Sequence, residues 1–313
     1  MDGNNDCAKL HGAATHGKED LDNGAADSRK VSASSTPPPA MRGQIIQTAL
    51  PLPNDLRDGS ARSLDQYYTR PEIARLLYER FLKHYEPDNF WMVEPSAGEG
   101  GFLQLLPPGS AGIDLDPRCP GVMQADFLTL ELISNYPICV IGNVPFGKNA
   151  SMAVRFFNHA ARYAQVIAFI MPKSMKKSTM AGKLDRNFRL VAEYEVPSGA
   201  FTFEGKRCTV PTVFQLWERG VEQRALDQGL TQHADFEFTT PDKADFAIQR
   251  VGANAGTVHY NFEMSPSSHY FVRGPVEHIM RKLNFRAVAC NTAGNPSLAK
   301  REIVRLYMEY LGC

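Results

Sequence analysis

The sequence predicts a doubly wound α/β fold with a mostly parallel sheet and a small C-terminal α+β accessory region. Between residues 90 and 217, short apolar runs alternate with amphipathic segments, which is the pattern of strand–helix–strand units. Several of these runs end in a glycine-rich or polar segment, as strands do at the edge where open α/β sheets bind ligands. The last two runs are joined by a loop alone, which predicts an antiparallel strand at the end of the sheet.

The individual elements follow from proline, apolar periodicity and turn residues. Pro71 opens an amphipathic helix, because proline is favoured in the first helical turn and apolar side chains then recur on one stripe. Further helices are predicted at residues 100–106, 151–163 and 176–185. Strands are predicted at residues 90–94, 111–115, 138–142, 166–171, 190–196 and 212–217.

Composition divides the chain into three regions. Residues 1–60 are rich in small and polar side chains, include the run SASSTPPP and have no sustained hydrophobic period, which predicts a largely disordered tail. Within that tail, residues 44–52 are apolar enough to dock on the domain. Residues 61–219 form the predicted main domain. Residues 220–313 contain short β-like pieces followed by two helices, which predicts the accessory region and a surface for substrate contact.

Charge and cysteine content exclude several classes of protein. Lys plus Arg and Asp plus Glu both number 34, so no overall field attracts nucleic acid. The six cysteines form no CxxC pair and no histidine stands at metal-ligand spacing, so we predict a reduced protein without a metal site. The longest apolar run, residues 166–172, is too short to span a bilayer. The expectation is a soluble intracellular protein without a membrane partner, cytoplasmic or, in a eukaryote, nuclear.

The segment VEPSAGEGGFL has the form of a strand, a glycine turn and a helix. Glycines such as Gly98 and Gly100 let a backbone bend sharply and approach a ligand. A dinucleotide motif would need glycine where Leu103 stands, and the GK[ST] ending of a phosphate loop is absent. Because Glu94 would repel a pyrophosphate, a ligand with a cationic amine fits better, such as S-adenosylmethionine. Taken alone, a turn without any ligand explains the segment equally well.

Two further acids stand where a nucleoside would need them. Asp114 ends the strand after the glycine turn, the position from which acids bind ribose hydroxyls, and Asp116 is the reserve candidate. Asp126 could accept a hydrogen bond from an adenine amino group while the ring of Phe127 packs on the base. An aspartate in a loop more often caps a helix. Glu94, Asp114 and Asp126 together nevertheless describe one ligand with an amine, a ribose and an adenine.

The segment Asn143-Val144-Pro145-Phe146 suits a planar group that carries nitrogen. An asparagine oxygen can accept a hydrogen bond from an exocyclic amino group. Pro145 fixes the local backbone, and Phe146 offers a face on which a base can stack. A simple turn with a core phenylalanine explains the tetrapeptide by itself. At a strand end that follows three cofactor positions, an acceptor site is the better interpretation.

These motifs, over residues 64–217, resemble class I S-adenosylmethionine-dependent methyltransferases. Within that family they are similar to the adenine-N6 group, in which the cofactor motif precedes a (D/N/S)PP(Y/F/W) motif. The resemblance implies a Rossmann-like methyltransferase sheet, S-adenosylmethionine as the cofactor and DNA or RNA as the partner. By the same match, the methionine end would meet Tyr68, Thr69, Glu94, Ala97 and Gly98, the ribose Asp114, the adenine Asp126 and Phe127, and the target base Asn143 to Phe146.

Val144 departs from the proline that is usual in this motif. The position is also aliphatic in the similar rRNA adenine dimethyltransferases, so the departure concerns the substrate more than the chemistry. It counts against protein-glutamine methyltransferases, which typically keep NPPY.

Basic residues dominate the segment between residues 143 and 190. Nine lysines and arginines stand there against a single acid, Asp185. A local excess of this kind suits a surface that contacts phosphates, although a solvated helix face would also explain it. The lysines predicted to contact substrate are Lys148, Lys173, Lys176 and Lys177.

Three hypotheses about function follow. The first is an N-methyltransferase acting on adenine N6 in DNA or RNA, with Asn143, Pro145 and Phe146 at the catalytic site. The second is an enzyme that methylates a protein side-chain amide such as glutamine. The third is a methyltransferase-like module that binds nucleic acid without catalysis.

Overall fold

The computed structural model describes residues 42–47, 67–225, 229–292 and 294–312. Most of the predicted tail, including residues 48–52 of its apolar segment, lies outside these residues. The strands are β1 Gly43–Gln47, β2 Tyr68–Thr69, β3 Trp91–Glu94, β4 Ala111–Asp114, β5 Val122–Gln124, β6 Leu130–Ser134, β7 Ile138–Asn143, β8 Val166–Pro172, β9 Phe188–Glu195, β10 Phe201–Phe203, β11 Lys206–Cys208, β12 Thr212–Arg219, β13 Glu237–Thr239, β14 Phe246–Gln249, β15 Val258–His259 and β16 His269–Arg273. The α-helices are α1 Pro71–Phe81, α2 Ser151–Ala160, α3 Ser178–Ala181, α4 Glu277–Met280, α5 Phe285–Ala289 and α6 Lys300–Leu311.

A seven-stranded sheet forms the centre of the main region, in the order β5-β4-β3-β7-β8-β12-β9. Every neighbouring pair from β5 to β8 is parallel, whereas β12 is antiparallel to both β8 and β9. The predicted α/β fold class is therefore confirmed. The antiparallel strand is next to last rather than at the edge. Because β12 has a partner on each side and is covered on both faces, its first six residues are all buried and read as one apolar run.

Apolar side chains cover the sheet on both faces. The α2 side contains Phe157, whose ring makes edge contacts with Phe169, Phe188 and Trp217 at centroid distances of 6.4, 5.6 and 5.5 Å. On the other face, α1 packs its apolar stripe against the alternate residues of β7, β8 and β12. This stripe follows from the helical period that Pro71 initiates. The sheet is thus held rigidly between two layers, and its carboxyl edge keeps a fixed geometry.

Two of the predicted helices are wrong. Residues 100–106 form a turn and a single 3₁₀ turn at Leu103–Leu105, since the N–H groups of Phe102 and Leu103 donate to the Glu94 carboxylate and prolines follow at once. Residues 176–185 contain only the four-residue α3, which follows a 3₁₀ turn at Lys173–Lys176. The short strands β5 and β6 were not predicted, because their few side chains alternate with polar ones.

Three smaller sheets accompany the central one. Strand β1 pairs antiparallel with β6, so residues 44–47 dock on the domain as expected for this segment. Strand β2 joins the hairpin of β10 and β11. In the C-terminal region, β13, β16, β14 and β15 form an antiparallel sheet that packs with the helices after it around a core of its own.

Removal of the Phe157 ring should strongly destabilise the main region. Phe157→Ala is expected to lower the free energy of unfolding by about 3–5 kcal/mol, because the buried ring leaves a cavity among three aromatic neighbours. Urea denaturation followed by circular dichroism measures this change. The matched control is Tyr310→Ala, at a side chain that is 48% exposed, which should change stability by less than about 0.5 kcal/mol. Equal effects of the two substitutions would contradict this account of the core.

Candidate functional site

A cavity lies at the carboxyl edge of the central sheet. The glycine turn after Glu94, the acids Asp114 and Asp126, and the segment that begins at Asn143 all contribute to it. They meet there because β3, β4 and β7 are parallel and adjacent, so their carboxyl ends share one edge. The cavity is lined by Tyr67, Tyr68, Thr69, Glu94, Pro95, Ser96, Ala97, Gly98, Glu99, Gly101, Asp114, Leu115, Ala125, Asp126, Phe127, Asn143, Val144, Pro145 and Phe156.

Glu94 ends β3 and is the most buried acid of the site, with 2% of its surface exposed. Its Oε2 accepts a hydrogen bond from the Leu103 N–H at 2.7 Å, and its Oε1 accepts one from the Phe102 N–H at 3.4 Å. Burial raises the pKa of this carboxyl to about 8, and the two N–H groups oppose that rise. The side chain therefore holds the glycine turn in place and exposes a titratable group to the cavity.

Asp114, at the end of β4, fixes the other side of the same turn. Its Oδ2 accepts a hydrogen bond from the Gly98 N–H at 2.7 Å, and its Oδ1 accepts one from the Asp116 N–H at 2.7 Å. Gly98 has a φ of +49°, and a Cβ at this residue would lie 2.7 Å from the Tyr68 ring. Asp116 does not line the cavity and instead pairs with Arg118 at 2.6 Å. Of these two acids, Asp114 is therefore the one that lines the cavity.

Asp126 combines a capping role with a place in the cavity wall. Its Oδ1 accepts a hydrogen bond from the Leu128 N–H at 2.9 Å, which caps the 3₁₀ turn Phe127–Thr129. The adjacent Phe127 is buried and stacks on Phe156 at 5.6 Å. His159 meets the edge of the same ring, and its Nε2 lies 2.9 Å from the Leu130 carbonyl oxygen. Burial lowers the pKa of His159, as expected for a histidine with a structural role.

Asn143 ends β7 with its amide held in one orientation. Its Nδ2 donates to the Tyr67 carbonyl oxygen at 2.7 Å. Its Oδ1 is buried and accepts no hydrogen bond from any described residue. The hydroxyl of Thr69, on the same cavity wall, is likewise buried without a partner in the described part of the chain. Because unsatisfied buried oxygens are costly, these two atoms are the polar groups of the wall that the described residues leave open to a further hydrogen bond.

The other residues of the Asn-Val-Pro-Phe segment divide between cavity and core. Val144 and Pro145 both line the cavity, and Val144 is also buried in the core. Phe146 does not line the cavity but packs against the apolar layers on both faces of the sheet. The predicted stacking of a base on Phe146 has no support in this conformation, because Phe146 is not among the residues that line the cavity.

Gly100, predicted to bind the cofactor, also lies outside the cavity lining. Its φ is +77°, and a Cβ there would lie 2.8 Å from the Cys119 sulfur. Glycine is needed at this residue for the turn and for packing against Cys119. The residues that line the cavity on either side of it are Glu99 and Gly101.

Most of the predicted substrate lysines are already paired with acids. Lys173 contacts Glu195 at 3.1 Å, and Lys176 contacts Glu193 at 2.8 Å and Glu195 at 3.0 Å. Lys177 contacts Glu302, on α6, at 3.4 Å. The acids missing from residues 143–190 are therefore supplied by β9 and α6. Lys148 is exposed, and no acid of the described residues pairs with it.

Tyr67 is the site residue that the sequence did not indicate. Its carbonyl oxygen orients Asn143, and its ring lines the cavity and stacks on Phe203 at a centroid distance of 5.0 Å. A backbone carbonyl leaves no trace in residue type. The only available signal was that Tyr67 precedes the predicted pair Tyr68 and Thr69.

Metal and membrane sites were searched for over the described residues. No group of three or more histidine, cysteine or acidic side chains there could hold a metal ion. No helix within the described ranges is long and apolar enough to cross a membrane.

Comparison with known proteins gives structural neighbours only, since neither a family model nor a curated protein matches the sequence. A "putative RNA methyltransferase" from Pyrococcus horikoshii is 16% identical with a TM-score of 0.38, over 53% of this chain and 92% of that one. The modification subunit of a "putative type I restriction enzyme" from Vibrio vulnificus is 15% identical with a TM-score of 0.36, over 53% of this chain and 46% of that one. A "putative class I S-adenosylmethionine-dependent methyltransferase" from Listeria monocytogenes is 15% identical with a TM-score of 0.37, over 53% and 67%.

Two of these neighbours are named as methyltransferases, and the one from Listeria is named as a class I S-adenosylmethionine-dependent enzyme. At identities of 15–16% and TM-scores below 0.5, these likenesses carry no argument about what this chain does. The reaction of this chain has to be argued from its own side chains.

Glu94→Gln should flatten the pH dependence of stability between pH 4.5 and about 8. In that range the folded state keeps a proton on Glu94 that the unfolded state has released, because the pKa rises from 4.5 to about 8 on folding. The wild-type protein should therefore lose stability as pH rises from 4.5 to 8, at up to about 1.4 kcal/mol per pH unit. Urea denaturation at several pH values measures the difference between the two proteins.

The matched control for this experiment is Glu99→Gln, at an exposed acid of the same turn. It should leave the pH dependence as in the wild type. Parallel stability curves for wild type and Glu94→Gln would show that Glu94 is not buried as a titratable group.

Proposed function

We propose that this protein is an S-adenosylmethionine-dependent methyltransferase that methylates an exocyclic amino group, adenine N6 in DNA or RNA. The observation that carries the proposal is the fixed amide of Asn143. Its Nδ2 is engaged by Tyr67, so the amide atom that has no partner in the described residues is an acceptor, Oδ1. An acceptor of this kind suits a ligand that brings N–H groups.

The cavity has the features that S-adenosylmethionine needs. Gly98 leaves a cradle that a Cβ would fill, and the hydroxyl of Thr69 lacks a partner within the described residues. We infer that Thr69 and Glu94 hold the methionine end, Asp114 the ribose and Asp126 with Phe127 the adenine. When bound, S-adenosylmethionine supplies an electrophilic methyl group on a positively charged sulfur. Glu94 can release its proton to meet a cationic amine, because a positive charge nearby lowers the pKa of a carboxyl.

Asn143 and Pro145 would hold the acceptor. Accepting an N–H bond at Oδ1 orients an amino nitrogen and draws its lone pair out of the ring conjugation. Pro145 has no N–H to donate and has a fixed φ, which favours carbonyl acceptors on this wall. Tyr67, which lines the cavity and stacks on Phe203, is an aromatic residue beside which a planar acceptor such as a base could pack. Positioning of this kind can supply a large part of a rate enhancement without a strong base.

The division of labour along the chain is part of the proposal. We infer that residues 61–219 carry the methyl transfer and that residues 220–313 contact the substrate. The pairing of Lys173, Lys176 and Lys177 with acids weakens one argument for nucleic acid over a protein amide. The assay therefore has to offer DNA, RNA and protein acceptors together.

Asn143→Ala should lower methyl transfer to an adenine-containing oligonucleotide by about 10²–10³-fold in kcat, because the transition state then lacks one oriented hydrogen-bond acceptor. Tritiated methyl transfer to DNA, to RNA, to oligonucleotides without adenine and to a glutamine-containing protein fraction measures activity and acceptor class. The binding of S-adenosylmethionine, followed by calorimetry, should change much less than kcat does.

Asn135→Ala, at an exposed asparagine before β7, is the matched control and should keep wild-type activity. Full activity of Asn143→Ala would refute the proposed acceptor chemistry even if the cofactor binds. Failure of the wild type to bind S-adenosylmethionine would refute the proposed function altogether.

Gly98→Ala should weaken the binding of S-adenosylmethionine by about tenfold or more. The new Cβ would lie 2.7 Å from the Tyr68 ring at a φ of +49°, so the turn and its bond to Asp114 must shift. Calorimetric titration measures the affinity. The control Gly294→Ala adds a Cβ where no atom lies within 4 Å, and it should leave the affinity unchanged. Unchanged affinity in Gly98→Ala would place the cofactor elsewhere.

A further inference from the structure

A second cavity, of about 730 Å³, lies between the loop after β8 and helix α6. Both apolar and charged side chains form its wall, and Val288, Val304 and Met308 are among the apolar ones. It is lined by Lys176, Lys177, Ser178, Gly229, Leu230, Arg301, Glu302, Arg305 and Glu309, among others.

Two ion pairs neutralise part of this cavity. Lys177 pairs with Glu302 at 3.4 Å, both largely buried, and its Nζ also donates to the Ser297 carbonyl oxygen at 2.8 Å. Arg305 lies 3.7 Å from Glu309, one helical turn away. Both carboxylates of the cavity are therefore engaged. Arg301 remains as a cation that makes no ion pair or hydrogen bond with the described part of the chain.

Two more cations without an acid border the same segment, residues 297–302. Lys300 is exposed and lies over the rings of Phe238 and Tyr270, at 4.8 and 5.8 Å. Arg250 lies over the Tyr270 ring at 4.9 Å, and its Nε is buried without a partner in the described residues. Arg250 and Lys300 both lie on the Tyr270 ring, and Arg301 follows Lys300 and lines the second cavity. We call these three residues the cationic cleft. A ring face does not neutralise a cation as a carboxylate does, so positive charge is concentrated here in a chain of zero net charge.

The loop after β8 connects the sheet edge of the candidate site with the segment that carries the cationic cleft. Strands β7 and β8 are parallel neighbours, and Asn143 is in register with Ile170. β8 ends two residues later, and the loop that follows leads directly to Lys177 and its bond to Ser297. A chain molecule with one group at Asn143 could therefore continue over this loop towards α6.

We propose that the cationic cleft binds the phosphodiester backbone of the nucleic acid strand next to the target base. Phosphates recur at short intervals along a strand, which suits separate cations, and the arginine fork binds their oxygens with two donors. Cations held on aromatic rings also occur where proteins bind single strands. The identity of the target base rests on the proposed function, but the backbone contact does not. The cleft, rather than the paired Lys173 and Lys176, supplies the phosphate-binding charge.

Binding of a fluorescein-labelled single-stranded oligonucleotide to the full chain, followed by anisotropy without S-adenosylmethionine, tests this proposal. The double variant Lys300→Ala/Arg301→Ala should bind about tenfold more weakly at low salt. Its plot of log affinity against log salt should be shallower by about 0.7 for each phosphate that the variant no longer neutralises. Arg301→Lys keeps the charge and should bind more tightly than Arg301→Ala, although less tightly than the wild type.

Arg273→Ala, at an exposed arginine paired with Glu237, is the matched control and should leave affinity and salt slope as in the wild type. Wild-type affinity and slope in a folded double variant would overturn the proposal, as would an absence of nucleic acid binding in the wild type. An equal loss of polyglutamate binding would overturn it in favour of a general polyanion surface. Oligonucleotide binding that depends on the cleft, without methyl transfer, would support this inference and refute the proposed function.

Discussion

The structure of the site depends on the buried carboxylate of Glu94. Parallel pairing with β4 and β7 fixes the end of β3, and the side chain then captures the N–H groups of Phe102 and Leu103. The turn between them has no helix to hold it, so this tertiary bond sets its path. Because the turn carries Gly98, which Asp114 holds from the next strand, the floor of the cavity follows from two carboxylates. Burial raises the pKa of Glu94, and a cation bound nearby would lower that pKa again.

Charge is where proximity in sequence and proximity in space diverge most. The segment from residue 143 to residue 190 reads as strongly basic because its acids are absent from the local sequence. In the folded chain, acids from β9 and α6 form ion pairs with the lysines of this segment. These acids are Glu193, Glu195 and Glu302. Three cations without an acid partner among the described residues, Arg250, Lys300 and Arg301, lie in or beside residues 297–302. Local charge counts therefore describe a strand or a helix well, but they do not describe a surface built from several elements.

The sequence predicted those features that depend on local periodicity and on strand ends. Buried strands such as β7 and β8 appear as apolar runs, and parallel pairing alone brings Glu94, Asp114 and Asn143 together. The failures have a common cause in tertiary contacts. Residues 100–106 lose their helix to a side-chain acceptor, Phe146 is drawn into the core, and Tyr67 acts through a carbonyl group that every residue possesses. None of these interactions is encoded in spacing along the chain.

If the proposed function is correct, the orientation of Asn143 also restricts the kind of methyl acceptor that this cavity can serve. A hydroxyl acceptor must lose its proton as it reacts and therefore needs a base, whereas a planar amino group can react through its own lone pair and lose a proton afterwards. Glu94 is engaged by the N–H groups of Phe102 and Leu103 and, in the proposed complex, by the cationic amine of the cofactor, so it is not free to act as that base. Asp114 and Asp126 use carboxylate oxygens to accept backbone N–H groups. The free Oδ1 of Asn143 then favours an N–H donor over a hydroxyl, since an amide oxygen accepts hydrogen bonds but is too weak a base to remove a proton.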